Sequence, residues 1–137
     1  MSSFEAFDVI EQRLRALWTT TPLVFENEDW PNPDMASPFV FVEVFGDVLE
    51  QESIGGGDAR ADNLWREEGQ LLMHVLTPSG TGTGRSRQLA KSLADLFRGE
   101  DIGGVEFRHA SIGASDPGKQ DGQYFRMTTA IFWRRDE

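Results

Sequence analysis

The chain has 137 residues, 39% of them apolar, which suits a single domain (1–137) with one ordinary core. Its formal charge of −10 disfavours ordinary nucleic-acid binding, which needs Lys and Arg to neutralise phosphates, without excluding DNA nearby. There are no cysteines, so disulfides, thiolate metal sites and a cysteine nucleophile are excluded as well.

Residues 2–18 carry Phe7, Ile10, Leu14, Leu17 and Trp18 at helical spacing, and Ser2 with Glu5 fits a capping box. This start is charged and amphipathic, unlike a signal peptide. No run reaches the roughly 18 apolar residues of a membrane span, so the expected compartment is cytosolic. Leu23 begins a short strand, and the proline-rich acidic stretch 26–38 reads as a surface loop. Residues 39–45, FVFVEVF, form a strand apolar on both faces: Val40, Val42 and Val44 on one, Phe39, Phe41 and Phe45 on the other, interrupted by Glu43. Residues 47–54 suggest an outer strand. Residues 55–63, GGGDARADN, are too polar and glycine-rich to pack and are expected to be mobile.

Residues 65–77 predict a long strand whose polar start, WREEG, projects beyond the sheet. Residues 85–97 predict a second helix with a stripe of Leu89, Leu93, Leu96 and Phe97, flanked by Ala90 and Ala94. Strands at 105–112 and 124–133, joined by a turn-rich loop at 113–122, complete the order α-β-β-β-β-α-β-β. The expected fold is α+β, a single mixed or mainly antiparallel sheet with the two helices packed on one face.

The turn at 77–84, TPSGTGTG, precedes a helix and so invites an anion-binding reading. It lacks the lysine of a P-loop and the spacing of a dinucleotide fingerprint, which leaves a flexible strand-to-helix loop as the better account. Arg85, Arg87 and Lys91 make a basic cluster in the first turns of that helix, either a solvated face or a contact for an acidic neighbouring subunit. His74 and His109 read as structural histidines, since neither belongs to a catalytic or metal motif. Glu50 and Glu52 share a strand face and offer at most a weak Mg²⁺ or Ca²⁺ site. No nucleophile elbow or Ser/His/Asp order is present, so no catalytic, cofactor-binding or metal residues are assigned and no enzyme is expected.

These features together resemble a known family. An amphipathic helix leads into a strand; a tryptophan–proline loop from Trp30 to Pro33 precedes P-F-V-x-V-E at 38–43; G-x-L-x-x-x-V follows at 69–75, then P-S-G-T-G at 78–82, a helix, and a last strand ending I-F-W at 131–133. The pattern is similar to the tail-terminator proteins of long-tailed bacteriophages, prophages and gene transfer agents. The resemblance implies a structural protein that forms a six-fold ring on the tail tube, ends its polymerisation and presents a surface for the head-side connector. Implied partners are a second copy of the chain, the tail tube protein and the connector, with DNA sliding through an acidic lumen and no membrane contact. Implied locations are the host cytoplasm during assembly and the virion tail. Some members need Mg²⁺ for ring formation, but no ligand motif here matches. The candidate tube or lumen contacts are Gly56, Asp58, Arg60, Asp62, Trp65, Arg66, Glu67 and Glu68; the candidate subunit contacts are Arg85, Arg87 and Lys91. The alternatives are a head-completion or connector ring protein, a small anion- or nucleotide-binding domain using the 80–84 turn, or a small enzyme built from His74, His109 and carboxylates.

Overall fold

The computed structural model describes residues 2–31, 36–53, 56–113 and 119–137, the last set with backbone alone at 119–121. The loops expected at 26–38 and 113–122, and the start of the excursion at 55–63, fall partly outside these residues.

Helix α1 (Phe4–Leu17) buries Ala6, Ile10 and Leu14, a strict four-residue spacing continued by the buried Trp18 at its end. Leu17, expected in that stripe, is 52% exposed, because Trp18 takes the place beside the core. The helix starts one residue later than expected: Ser3, not Ser2, is the cap, and its hydroxyl accepts from the Ala6 amide.

Seven strands make one sheet: β1 (Leu23–Phe25), β2 (Phe39–Gln51), β3 (Trp65–Pro78), β4 (Asp101–Ile102), β5 (Val105–Ile112), β6 (Lys119–Asp121) and β7 (Tyr124–Asp136). Helix α2 (Gly84–Phe97) falls between β3 and β4. The sheet order is β1-β2-β3-β7-β5-β4, with β6 beside β7. Among the described residues only β1 with β2 is parallel, so the fold is α+β around one mixed, mainly antiparallel sheet. Because β3 lines β7 from Tyr124 to Asp136, β6 shares the opposite side of β7 with β5.

The element order departs from expectation in the short strands β4 and β6, which were not anticipated, and at β2. The two strands anticipated at 39–45 and 47–54 are the single strand β2, which continues across Gly46 because Asp47 is accommodated as an extra residue between the Gly46 and Val48 registers. The start of β3 does not project freely either, since Trp65 and Arg66 pair with Gln51 and Glu50, and Arg66 to Glu68 pair with Asp136 to Arg134.

Alternation along the central strands sorts two apolar sets. Val40, Val42 and Val44 join Leu71, Met73, Val75, Met127, Ile131 and Trp133 in one buried cluster to which both helices contribute. Phe39, Leu76, Tyr124 and Val24 form a smaller cluster, with Phe41 packed against it and Trp30 edge-on to Phe39 at 5.2 Å. Each large side chain removed from water stabilises the fold by about 1.5–3 kcal/mol before entropy is counted.

Gly69 of β3 pairs with Gly46 of β2 where a side chain has no room. A Cβ there would collide with the Phe45 carbonyl oxygen and stand 2.6 Å from the Trp133 ring. Neither neighbour can yield, since one is backbone and the other is 1% exposed in the core. Gly69→Ala is therefore expected to lower unfolding free energy by about 2–3 kcal/mol, read as a shift of the urea midpoint at constant m-value. A midpoint within error of the parent would show that the contact is slack.

Candidate functional site

The residues anticipated as tube or lumen contacts lie at one end of the sheet. Past Gly46 the strand β2 leaves the helical layer, and residues 47–52 and 56–62 are all exposed. The excursion between β2 and β3 is organised by hydrogen bonds rather than by apolar burial. Asn63 Nδ2 donates to the Gly57 carbonyl at 2.9 Å and the Ala59 carbonyl at 3.0 Å, while its Oδ1 accepts from Ser53 Oγ at 3.2 Å. Ser53 Oγ in turn accepts from the Leu64 amide at 2.8 Å, and the Trp65 indole donates to the Arg60 carbonyl at 3.1 Å, closing a single 3-10 turn at Arg60–Asp62. The described residues 56–62 are exposed, and their hydrogen bonds run to side chains of Asn63 and Trp65 rather than to a core.

Of the eight anticipated contacts, Gly56, Asp58, Arg60, Asp62 and Glu68 are exposed. Trp65 and Arg66 are half-buried, and Arg66 makes a two-point ion pair with Asp136 at 2.7 and 3.0 Å. Glu67 must be withdrawn as a contact, since it is 6% exposed and its carboxylate is already committed. One oxygen accepts from the Ser3 amide at 2.7 Å; the other accepts from the Ser3 hydroxyl and from Arg135 Nε at 3.1 Å. In a capping box the carboxylate comes from the third helical position; here Ala6 occupies it and Glu67 supplies the carboxylate from β3.

The three basic residues of α2 are all exposed, but they are not equivalent. Lys91 Nζ lies 2.6 and 2.8 Å from the two Asp95 oxygens, so its charge is largely answered within the helix. Arg87 Nε donates to Thr83 Oγ1 at 3.0 Å. The turn before the helix has Gly80 and Gly82 at φ of 85° and 77°, in the left-handed region, and Thr83 gives the helix no side-chain cap. Its preceding strand is antiparallel to both neighbours, which removes the parallel βαβ frame that a dinucleotide site requires.

His74 has a partner that the sequence pattern did not identify. Its Nε2 is 2.6 Å from Glu43 Oε1 and its Nδ1 is 2.7 Å from Thr128 Oγ1, while Phe41 stacks on the ring. Both ring nitrogens thus have a hydrogen-bond partner. Glu43 had registered only as an interruption of an apolar strand; a lone carboxylate there, with a lone histidine in another apolar strand, was the available signal. His109 is exposed and stacks on Phe132 at 4.4 Å. It borders a cleft of about 260 Å³ whose lining residues include Asp47, Glu68, Arg108 and Arg134, and no hydroxyl or thiol nucleophile is among them. Among the described residues no cluster of three or more His, Asp and Glu side chains could hold a metal ion, so Glu50 and Glu52 do not form one there.

Three surface carboxylates are held below their ordinary range by hydrogen-bonded cations: Asp95 by Lys91 and then Arg98, Glu106 by Arg134, and Asp136 by Arg66.

Comparison with known proteins adds the fold and nothing more specific. No family model matches the chain, and no curated protein matches it. A solved structure whose designation says nothing of function is similar over 98% of this chain and 96% of that one, at 20% identity and a TM-score of 0.66. At that identity the likeness establishes a shared architecture alone.

A group whose folded-state pKa is depressed stabilises the fold above its unfolded pKa, and that contribution disappears as pH falls through the folded value. Stability should therefore decline below about pH 4, the ordinary carboxylate value. Asp136→Asn should make the decline shallower while leaving the midpoint at neutral pH lower than the parent's. Urea midpoints across a pH series would check this, and parallel curves for the two proteins would rule it out.

Proposed function

We propose that the chain is a structural assembly protein that forms a ring capping a phage tail tube, ends tube polymerisation and presents the head-joining surface. The observation that carries this reading is the polar tip, exposed at the described positions 47–52 and 56–62 and hydrogen-bonded to Asn63, Ser53 and Trp65. A largely polar projection, with Val48 and Leu49 as its exposed large apolar side chains, suits a surface that docks on a partner. The tip contributes Gly56, Asp58, Arg60, Asp62 and Glu68 to the tube or lumen. In this reading the two helices lie on one face of the sheet, copies of the chain close a ring that is hexameric by resemblance, and DNA passes through a lumen whose acidic walls repel it.

The partners are then the tail tube protein and the head–tail connector, met in the host cytoplasm and retained in the virion tail. A head-completion or connector ring would use the same kind of docking with a different partner. Arg85 and Arg87 remain the basic subunit contacts, while Lys91 contributes less because Asp95 answers it. Any Mg²⁺ required for ring closure would come from outside the sites described above.

Replacing residues 56–62 by a short Gly/Ser linker, with Ser53 and Asn63 kept, is expected to leave the melting temperature unchanged and to abolish tube capping, scored as overlong tubes by electron microscopy. Tubes of normal length would remove the tip from the mechanism. Charge reversal at Arg85 and Arg87 is expected to weaken ring formation in sedimentation without altering the melting temperature, and an unchanged sedimentation profile would remove these residues from the interface.

A further inference from the structure

The strand β2 outruns its outer neighbour. β1 covers it only from Val40 to Val42, the Val44 amide is capped by Glu26 Oε1 at 2.7 Å, and no described residue bonds to the outer backbone edge of β2 from 45 to 51. Three bonds fix which groups point outward. The Val40 amide donates outward to the Pro22 carbonyl and the Val44 amide outward to Glu26, whereas the Glu52 amide donates inward to the Leu64 carbonyl at 2.8 Å. Amides alternate in direction along a strand, so the extra residue at Asp47 reverses the phase, and beyond it the Leu49 and Gln51 amides face outward. These are the donors that a further strand would use.

Where β1 ends, the helical layer leaves a groove of about 330 Å³. Its walls include Phe4 and Phe7 of α1, Val44 of β2, and Glu26 just after β1. Phe7 is edge-on to Phe25, the last residue of β1, at 5.8 Å, and Phe4 is 71% exposed. Leu49, 52% exposed, lies on the same side of the sheet: it is paired with Glu67, whose carboxylate holds Ser3 in the groove wall. A strand that continued the line of β1 along 45–51 would therefore turn alternate side chains toward a largely apolar groove. An open edge that supplies main-chain bonds, beside a groove for alternate side chains, is the geometry of strand addition.

Charge selects the occupant. Residues 16–59, which contain β1 and β2, carry nine Asp and Glu and no Lys, Arg or His. Glu43 is bonded to His74, and Asp47 shares a cleft with Arg108 and Arg134, so these two are answered within the molecule. Glu50 and Glu52 are exposed; Glu50 stands opposite Arg66, but that guanidinium is engaged by Asp136. The free edge thus runs from Glu26 at one end to Glu50 and Glu52 at the other, with no cation on its own strand. A second copy of this edge would set like charges against each other, which is destabilising across a strand pair, whereas an extended segment bearing Lys or Arg is attracted.

We propose that the 45–51 edge of β2 and the groove beside Phe4 and Phe7 form one docking site, for an extended segment of another protein that alternates apolar and basic side chains. Its main chain accepts from the Leu49 and Gln51 amides, its apolar side chains enter the groove, and its Lys or Arg side chains, on the opposite face, meet Glu50. The site lies within a single copy of the chain and does not depend on the ring reading.

The probe is a short capped peptide alternating Val and Lys, added to the full-length protein labelled with nitrogen-15. At saturation it should slow hydrogen exchange of the Leu49 and Gln51 amides by about tenfold or more. A peptide alternating Val and Glu, and the Val–Lys peptide with alternate amides methylated, should each bind about tenfold more weakly or worse. Leu49→Pro removes one outward donor while leaving every β2–β3 bond in place, and should abolish binding. Phe4→Ala, at a surface position, should weaken binding with no change in melting temperature, which keeps the test independent of any effect of proline on folding. Unchanged affinity in Leu49→Pro or in Phe4→Ala would overturn the proposal, as would equal affinity for the Val–Lys and Val–Glu peptides, or no binding up to about millimolar peptide. Concentration-dependent protection of Leu49 and Gln51 in the protein alone would overturn it in favour of a second copy on this edge. The tube-capping assay judges the ring reading separately in every case.

Discussion

Glu67 is the residue on which the arrangement of the molecule depends. A carboxylate at 6% exposure is tolerable only when it is paired and hydrogen-bonded, and its partners come from two distant parts of the chain. Ser3 brings the first turn of α1, Arg135 brings the end of β7, and Glu67 itself sits in β3. The start, middle and end of the chain are therefore tied at one point. Arg135 also reaches Glu137 at 2.9 Å, so removing Glu67 would leave the guanidinium a partner but leave the Ser3 amide without one. Breaking such a set costs more than the net gain of forming it, because the groups left behind stay desolvated.

That knot also explains how the sheet can extend past its helical cover. Beyond Gly69 the strands β2 and β3 have little apolar burial, and a two-stranded ribbon of this length is marginal alone in water. Here β7 pairs to the same level, and the Arg66–Asp136 and Arg134–Glu106 ion pairs lie across β3–β7 and β7–β5. Exposed ion pairs of this kind are individually weak. Their service is to register: with three strands held at one height, the polar tip at 47–62 is carried on a sheet rather than on a free hairpin.

How much of this was legible in the sequence follows from the range of the interactions. Periodicity is local, so the burial of Ile10, Leu14, Leu89, Leu93 and Phe97 could be read directly. Local signals also misled where a neighbour decided: Gly46 and Asp47 looked like a break, yet β3 on the inner side holds the strand together through a bulge. Leu17 lost its place to Trp18, whose indole gains a bond to Thr21 at 2.9 Å. Glu67 looked like surface polarity because its partners lie 64 and 68 residues away. Glu43 and His74, 31 residues apart, form a pair that only the β2–β3 register creates. The open edge of β2 was invisible for the same reason: whether a strand is an edge depends on its spatial order in the sheet, which sequence order does not state.

The charge of the chain sets an apparent obstacle to any assembly of it. Copies bearing −10 repel one another, and a ring concentrates that repulsion. The two contributions differ in range. Repulsion between whole molecules acts over tens of ångströms and is screened at physiological ionic strength, where the Debye length is about 8 Å. Contacts across an interface act inside that length. Low salt thus magnifies the repulsion between copies, whereas physiological salt suppresses it. A strongly acidic chain is in this way compatible with the proposed assembly, because screening weakens the repulsion between copies before they meet.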